Sequence, residues 1–237
     1  MIAYKHYSFD MWLTLIRSNP QFKQQRARYF HHKHNSLQKP LEEIERIFRQ
    51  VDLLCTSVNE ATGKNIDTDE LYLIVIGLIN DGQASLHDID LETLFADMDE
   101  LLFKYLPILY SDDTAQVLAQ LKQPGVTMSI LSNTGFIKGN SLRQVIQKLG
   151  IAQYFDFQLY SDEAGLYKPN KAFFERMLSE IAAIRDIRLQ DIIHIGDNPR
   201  TDVYGAGQVG INSMLVNSNN IGINKLVTHA TSNVFAT

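Results

Sequence analysis

The stretch Tyr7-Ser8-Phe9-Asp10-Met11-Trp12-Leu13-Thr14-Leu15 decides how the chain is read, because a carboxylate stands where an apolar run breaks into a loop. Residues from about Ile2 to Phe9 read as a short strand that Asp10 closes. An ionised carboxylate at the end of a buried strand is costly unless a cation or metal compensates it. Asp10 is therefore either a plain strand terminator or one member of a charged site whose partners lie further along the chain.

Outward from this stretch the texture changes. From Arg17 to about Leu106 no run reads as a strand, and four helical patterns follow one another. The first runs from about Pro20 to Asn35, with Pro20 suited to a first helical turn. The second begins at Pro40 and is expected to bury Ile44, Ile47, Val51, Leu54 and Val58, with Asn59 to Gly63 closing it. The third follows Asp67-Thr68-Asp69-Glu70, early acids that suit the positive end of a helix dipole, and carries Leu71, Ile74, Val75 and Leu78. The fourth spans about Asp90 to Tyr105 with Leu94, Met98, Leu101 and Leu102. Four amphipathic helices in sequence predict a small bundle.

After Pro107 strand and helix alternate, which predicts a parallel sheet covered on both faces. Strands are expected at Thr127–Leu131, Phe155–Tyr160, Ile192–Ile195 and Ser213–Val216. Helices are expected at Asp113–Lys122, Ser141–Leu149, Asn170–Ile184 and Thr201–Gln208. The fold class is thus α/β: a doubly wound, Rossmann-like parallel sheet formed by residues 1–16 and 107–237, with an all-α four-helix domain, 17–106, inserted after the first strand. A segment of about ninety residues is too long for a loop and reads as a domain of its own.

Composition narrows the function. With 237 residues the chain can bury a sizeable core, and its 45% apolar and 21% charged residues are ordinary for a globular protein. A net charge of −5 gives no electrostatic footprint for nucleic acid or an anionic membrane, so a small-molecule substrate is the expected partner. The single cysteine, Cys55, excludes an internal disulfide framework and any multi-cysteine zinc site and is read as core. No apolar run reaches membrane-spanning length and the first residues lack a secretory layout, so the expected location is cytoplasmic. No feature speaks to oligomeric state.

In a doubly wound sheet ligands bind beyond the carboxyl ends of the strands. The first strand places Asp10 and Thr14 there, the second Ser132-Asn133-Thr134, the next loop Lys168-Pro169, and the fourth strand Gly196-Asp197-Asn198-Pro199-Arg200-Thr201-Asp202. Three carboxylates, a hydroxyl and a lysine are expected to meet at one edge. Each has a plainer reading: Asp197 and Asp202 as turn and helix-start residues, Lys168 as a loop lysine, Ser132-Asn133 as turn chemistry. The run His31-His32-Lys33-His34 invites a metal reading, but adjacent histidines point around a helix, and a solvated helix end is the better reading.

The order and spacing of Asp10…Thr14, Ser132-Asn133, Lys168-Pro169 and Gly196-Asp197…Asp202 resemble the four motifs of the haloacid dehalogenase superfamily, and the insertion resembles the helical cap of one of its subgroups. The resemblance implies that Asp10 is a nucleophile forming a covalent aspartyl intermediate. It implies Mg2+ held by Asp10, Asp197, Asp202 and the backbone carbonyl of Trp12, and phosphate held by Thr14, Ser132, Asn133 and Lys168. Ser132 and Lys168 are implied as catalytic partners of Asp10. A hard divalent cation would relieve the repulsion among the carboxylates, and Lys168 would neutralise charge on the nucleophile and phosphoryl group.

One position departs from the pattern. Phosphatases of this superfamily usually carry a second Asp two residues after the nucleophile to protonate the leaving group, and here that residue is Trp12. General acid catalysis is worth about 10² to 10⁴ in rate, so the expected substrate is a phosphorylated small molecule with a good leaving group: simple monoesters suffer most from the loss, and acyl phosphates, aryl phosphates or phosphonates that cleave by another route suffer less. Two other readings stand beside this one. One is a metal-independent 2-haloacid dehalogenase-like hydrolase, which an aromatic at position 12 resembles; the other is a catalytically impaired binding protein of the same fold.

Overall fold

A computed structural model describes residues 4–227, and the expected start of the first strand, at Ile2, lies outside them. In chain order the elements are β1 His6–Phe9, β2 Ile16–Arg17, α1 Pro20–Lys33, α2 Leu41–Thr62, α3 Thr68–Ile79, α4 Leu91–Lys104, β3 Ile108–Leu109, α5 Thr114–Leu121, β4 Thr127–Ser132, α6 Gly139–Lys148, β5 Phe157–Tyr160, α7 Ser161–Ala164, α8 Lys171–Ile184, β6 Ile192–Gly196, α9 Gly205–Gln208 and β7 Asn212–Leu215. The helix expected from Thr201 is instead a wide helical turn, Pro199–Tyr204, followed by the single turn of α9.

Five strands form one parallel sheet in the order β5-β4-β1-β6-β7. Strand order runs outward in both directions from β1, so the switch point of this Rossmann-like α/β sheet falls where Asp10 leaves it. One face is apolar: Tyr7, Phe9, Met128, Ile130, Ile193 and Ile195 pack against α5 and α6. On the other, Leu131 and Ile192 meet Phe173, Phe174, Met177 and Ile181 of α8. That second face also carries a buried polar seam. His6 bonds Thr127 Oγ1 (2.8 Å) and Ser129 Oγ (2.9 Å), and Ser8 Oγ bonds His194 Nδ1 (2.9 Å). Polar groups at these depths persist because each has a partner.

Helices α1 to α4 bury a second cluster, in which Phe30, Ile44, Phe48, Val51, Tyr72 and Met98 are central. The buried stripe of α2 runs Ile44, Ile47, Phe48, Val51, Cys55 and Asn59, whereas Leu54 and Val58, expected on it, are 53% and 39% exposed. At 100° per residue, Cys55 returns to the centre of the stripe and Leu54 falls beside it. Likewise α3 buries Tyr72, Ile76 and Ile79 with Leu71 and Val75, and leaves Leu78 exposed. Leu94, Met98 and Leu102 of α4 are buried as expected, with Leu101 partly so. Helix α2 ends at Gly63 in the left-handed region (φ +66°), where an added Cβ would lie 2.7 Å from Asn170 Nδ2.

Strands β2 and β3, absent from the sequence reading, pair antiparallel at the two ends of the helical segment, Ile16 opposite Leu109 and Arg17 opposite Ile108. The excursion therefore leaves and rejoins the sheet layer at one place. On the far side α3 sits on the loop after β4: Thr68 Oγ1 donates to Gly135 O (2.9 Å) and Tyr72 Oη to Phe136 O (3.0 Å). No described helix is long and apolar enough to cross a membrane.

Candidate active site

The carboxyl edge of the sheet gathers the chemistry. Asp10 follows β1 and Ser132 ends β4, Asp197 follows β6, and Asp202 lies in the wide turn after it. Lys168 is brought in by the loop after α7, and its bond to Pro169 is cis. The side chain of Lys168 is buried and bridges two acids, with Nζ 2.8 Å from Asp10 Oδ1 and 2.6 Å from Asp202 Oδ1. Thr14 Oγ1 donates to Asp10 Oδ2 (3.1 Å) and Ser132 Oγ to Asp10 Oδ1 (3.3 Å). Asn133 anchors the lysine from the other side: its Oδ1 accepts from Lys168 N (2.8 Å) and its Nδ2 donates to Lys168 O (3.2 Å).

Carboxylate oxygens of Asp10, Asp197 and Asp202 lie within 4.8 Å of one another, and this is the single such grouping of acids, histidines or cysteines among the described residues. The histidines at the end of α1 are not part of one; they form its basic last turn, a favourable place for positive charge. The charges are unbalanced: three carboxylates face one ammonium, a surplus of two negatives when all are ionised. The titration behaviour follows from that. Burial pushes Asp197 up, and Asp10 and Asp202 add to it, to about 7. Burial also raises Asp10, against the pull of Lys168. Asp202 is buried too, yet Lys168 and His194 hold it well below the usual carboxylate range. Burial works against charge on Lys168, but the two acids override it and keep the ammonium firmly protonated. An all-oxygen donor set with surplus negative charge fits a hard divalent cation such as Mg2+.

The loop that carries Asp10 is tightly tied. Met11 O accepts from both Leu15 N (2.9 Å) and Ile16 N (3.0 Å), and Leu13 takes φ +60°. Trp12 is half-buried and packs beside the apolar core of the sheet; no carboxylic acid stands in its place. Gly196 is required for a steric reason, since a Cβ there would collide with the Asp202 carboxylate.

Several members of the constellation escaped sequence reading. Asn217 Nδ2 donates to Leu13 O (2.7 Å) and Thr14 O (3.3 Å), and Ser218 Oγ donates to Asp197 O (2.5 Å). Both follow β7 at the same edge, so the rule that found the others would have found them had it been extended to the last strand. Ser8 and His194 lie inside strands, where a sequence reading assigns core packing.

A family model of haloacid dehalogenase-like hydrolases matches residues 4–210. The chain is a haloacid dehalogenase-like hydrolase. This hydrolase is 31% identical over 108 residues to a glyceraldehyde 3-phosphate phosphatase of Methanothermobacter thermautotrophicus, a match covering 45% of this chain and 44% of that protein. It is 28% identical over 103 residues to a ribulose-1,5-bisphosphate 5-phosphatase of Halopiger xanaduensis, covering 44% and 40%. The chain thus spans under half the length of these curated relatives. The fold resembles the crystal structure of a HAD phosphatase from Thermococcus onnurineus (TM-score 0.66, 20% identity, 96% of this chain and 98% of that one). It also resembles a 2-haloacid dehalogenase from Pseudomonas syringae (TM-score 0.62, 20% identity, 92% and 88%).

Proposed function

We propose that this hydrolase is a Mg2+-dependent phosphohydrolase that uses Asp10 as nucleophile on a small phosphorylated molecule with a good leaving group. The observation that carries the reading is the buried bridge from Asp10 through Lys168 to Asp202, with Asp197 adjoining it and negative charge in surplus. Relatives named as phosphatases of small phosphorylated molecules support it. Residues 17–106 we assign as the cap that selects substrate, and residues 1–16 and 107–237 as the catalytic core.

In this mechanism a carboxylate oxygen of Asp10 attacks phosphorus and the bond from phosphorus to the leaving oxygen breaks, its electron pair going with the leaving group. Water then hydrolyses the aspartyl phosphate, releasing phosphate and restoring Asp10. Thr14 and Ser132 orient the Asp10 carboxylate by hydrogen bonds. The Lys168 ammonium offsets charge that builds on the nucleophile and the phosphoryl oxygens. Ser132 and Asn133 present polar groups to the phosphoryl oxygens. Asp10, Asp197 and Asp202, with the Trp12 carbonyl, would hold Mg2+, which supplies electrostatic stabilisation of the phosphoryl group when bound.

Trp12 offers no proton to the leaving group, so acyl and aryl phosphates should exceed alkyl phosphates in kcat/KM by about 10² to 10⁴, the range that general acid catalysis spans. A panel of these esters, phosphonates and 2-haloacids, assayed with Mg2+ and with chelator on wild type and Asp10→Asn, tests the reading. Phosphate release that needs both Mg2+ and Asp10 is expected. Halide release that persists in chelator would replace this reading with the dehalogenase, the alternative that the aromatic at position 12 favours, and binding without turnover across the panel would replace it with a binding protein.

A further inference from the structure

One buried group at the site has no part in the proposed chemistry. His194, in β6 two residues before Gly196, is fully buried, and its ring makes a T-shaped contact with Phe174, centroids 5.3 Å apart. Its Nε2 lies 3.1 Å from Asp202 Oδ1, and its Nδ1 lies 2.9 Å from Ser8 Oγ on the neighbouring strand β1. Asp202 has two other partners: Lys168 Nζ at Oδ1 (2.6 Å) and the backbone N–H of Asn198 at Oδ2 (3.0 Å).

These three partners differ in stiffness. Lys168 is a long side chain shared with Asp10, and Asn198 belongs to the loop that Asp202 itself follows. The imidazole alone comes from the middle of the sheet, clamped between Ser8 and Phe174. An ionised carboxylate has no proton to give, so Nε2 carries the hydrogen, and Nδ1 is left as an acceptor that the Ser8 hydroxyl satisfies. The Ser8–His194 contact therefore selects the tautomer that donates to Asp202.

Resting on the reading of Asp202 as part of the cation site, we propose that His194 is a positioning residue, which with Ser8 aims the Asp202 carboxylate from the rigid sheet toward the position shared with Asp10 and Asp197. Groups that orient a ligating carboxylate from behind typically change metal affinity by about 10- to 100-fold when removed. The role is separate from catalysis, because the described hydrogen bonds of the His194 ring run to Ser8 and Asp202, not to Asp10 or to the residues assigned to phosphate.

The test is calorimetric titration of Mg2+ into the full chain, in wild type, His194→Gln, His194→Asn and Ser8→Ala, with near-ultraviolet circular dichroism to establish folding. A glutamine amide nitrogen stands near the place of Nε2 and keeps a donor for Asp202; an asparagine amide stands near Nδ1 and does not. The expected result is an affinity lowered about 10- to 100-fold in His194→Asn, within about threefold of wild type in His194→Gln, and lowered a few-fold in Ser8→Ala. A histidine that merely supports the fold would reduce the fraction of protein able to bind and leave the affinity of that fraction unchanged. That pattern, or wild-type affinity in His194→Asn, overturns the proposal. Wild type that takes up no Mg2+ overturns the reading of the site itself, and the positioning role with it.

Discussion

Lys168 carries the electrostatics of the site at the scale of one residue. Its ammonium is the only cation that touches Asp10 and Asp202 among the contacts described, and all three groups are buried. Removing one partner of a buried ion pair costs about 3 to 5 kcal/mol because the other is left uncompensated. Lys168→Met is therefore expected to lose stability on that order in urea unfolding with chelator present, and to recover part of it when Mg2+ is added. Gly196→Ala acts by shape. Its Cβ would displace the Asp202 carboxylate, so Mg2+ affinity in calorimetry should fall while the sheet stays folded. At this scale the sequence reached Asp10, Thr14, Ser132, Asn133, Lys168, Asp197 and Asp202, because each stands at the end of a strand or in a loop or turn beyond a regular element, where a polar residue stands out. His194 and Ser8 did not stand out, since a period-two or buried-strand pattern counts every inward position as core.

At the scale of elements, the polar seam across β4, β1 and β6 makes the sheet sensitive to acid. Burial lowers His6 from 6.5 to about 3, and burial lowers His194 as well. A histidine held neutral in the folded state gains a proton only on unfolding, so its contribution is intact above pH 6.5 and is lost progressively as pH falls from 6.5 toward 3. His6 alone should cost about 2 kcal/mol between pH 7 and pH 5. Urea midpoints at the two pH values read this loss, and His6→Gln should flatten the dependence. The helices show the limit of periodicity. The stripe on α2 was legible to within one residue, but Leu54 and Cys55 are both apolar, and only the packing partner decides which of two neighbours turns inward. The two-residue ribbon of β2 and β3 has no period to read at all.

At the scale of the whole molecule, the helical segment is pinned to the loop that carries the Ser132-Asn133 pair. Tyr72 Oη donates to Phe136 O, and Arg26, buried beneath the same loop, lies over the rings of Phe48 (4.2 Å) and Phe136 (4.5 Å). Tyr72→Phe leaves that carbonyl without its donor and should lower stability by about 1 kcal/mol in urea unfolding. If the proposed cap moves with its loop, the same variant raises KM for the best ester of the panel. Occupancy of the proposed cation site would act on the whole fold. Mg2+ at 100 times its dissociation constant should stabilise the protein by about 2.7 kcal/mol, read as a chelator-sensitive rise in Tm.

The chain by itself determined the alternation of strands and helices, the excursion between Arg17 and Leu106 and the polar residues at strand ends, because burial periodicity and the break from strand to loop are written locally. Strand order, the polar seam and the clamp on Asp202 were decided only by tertiary structure. Ser8 and His194 are 186 positions apart and meet because β1 and β6 are neighbours in register, Ser8 opposite His194. No local pattern encodes which strands lie side by side; that follows from packing α5 and α6 on one face of the sheet and α8 on the other.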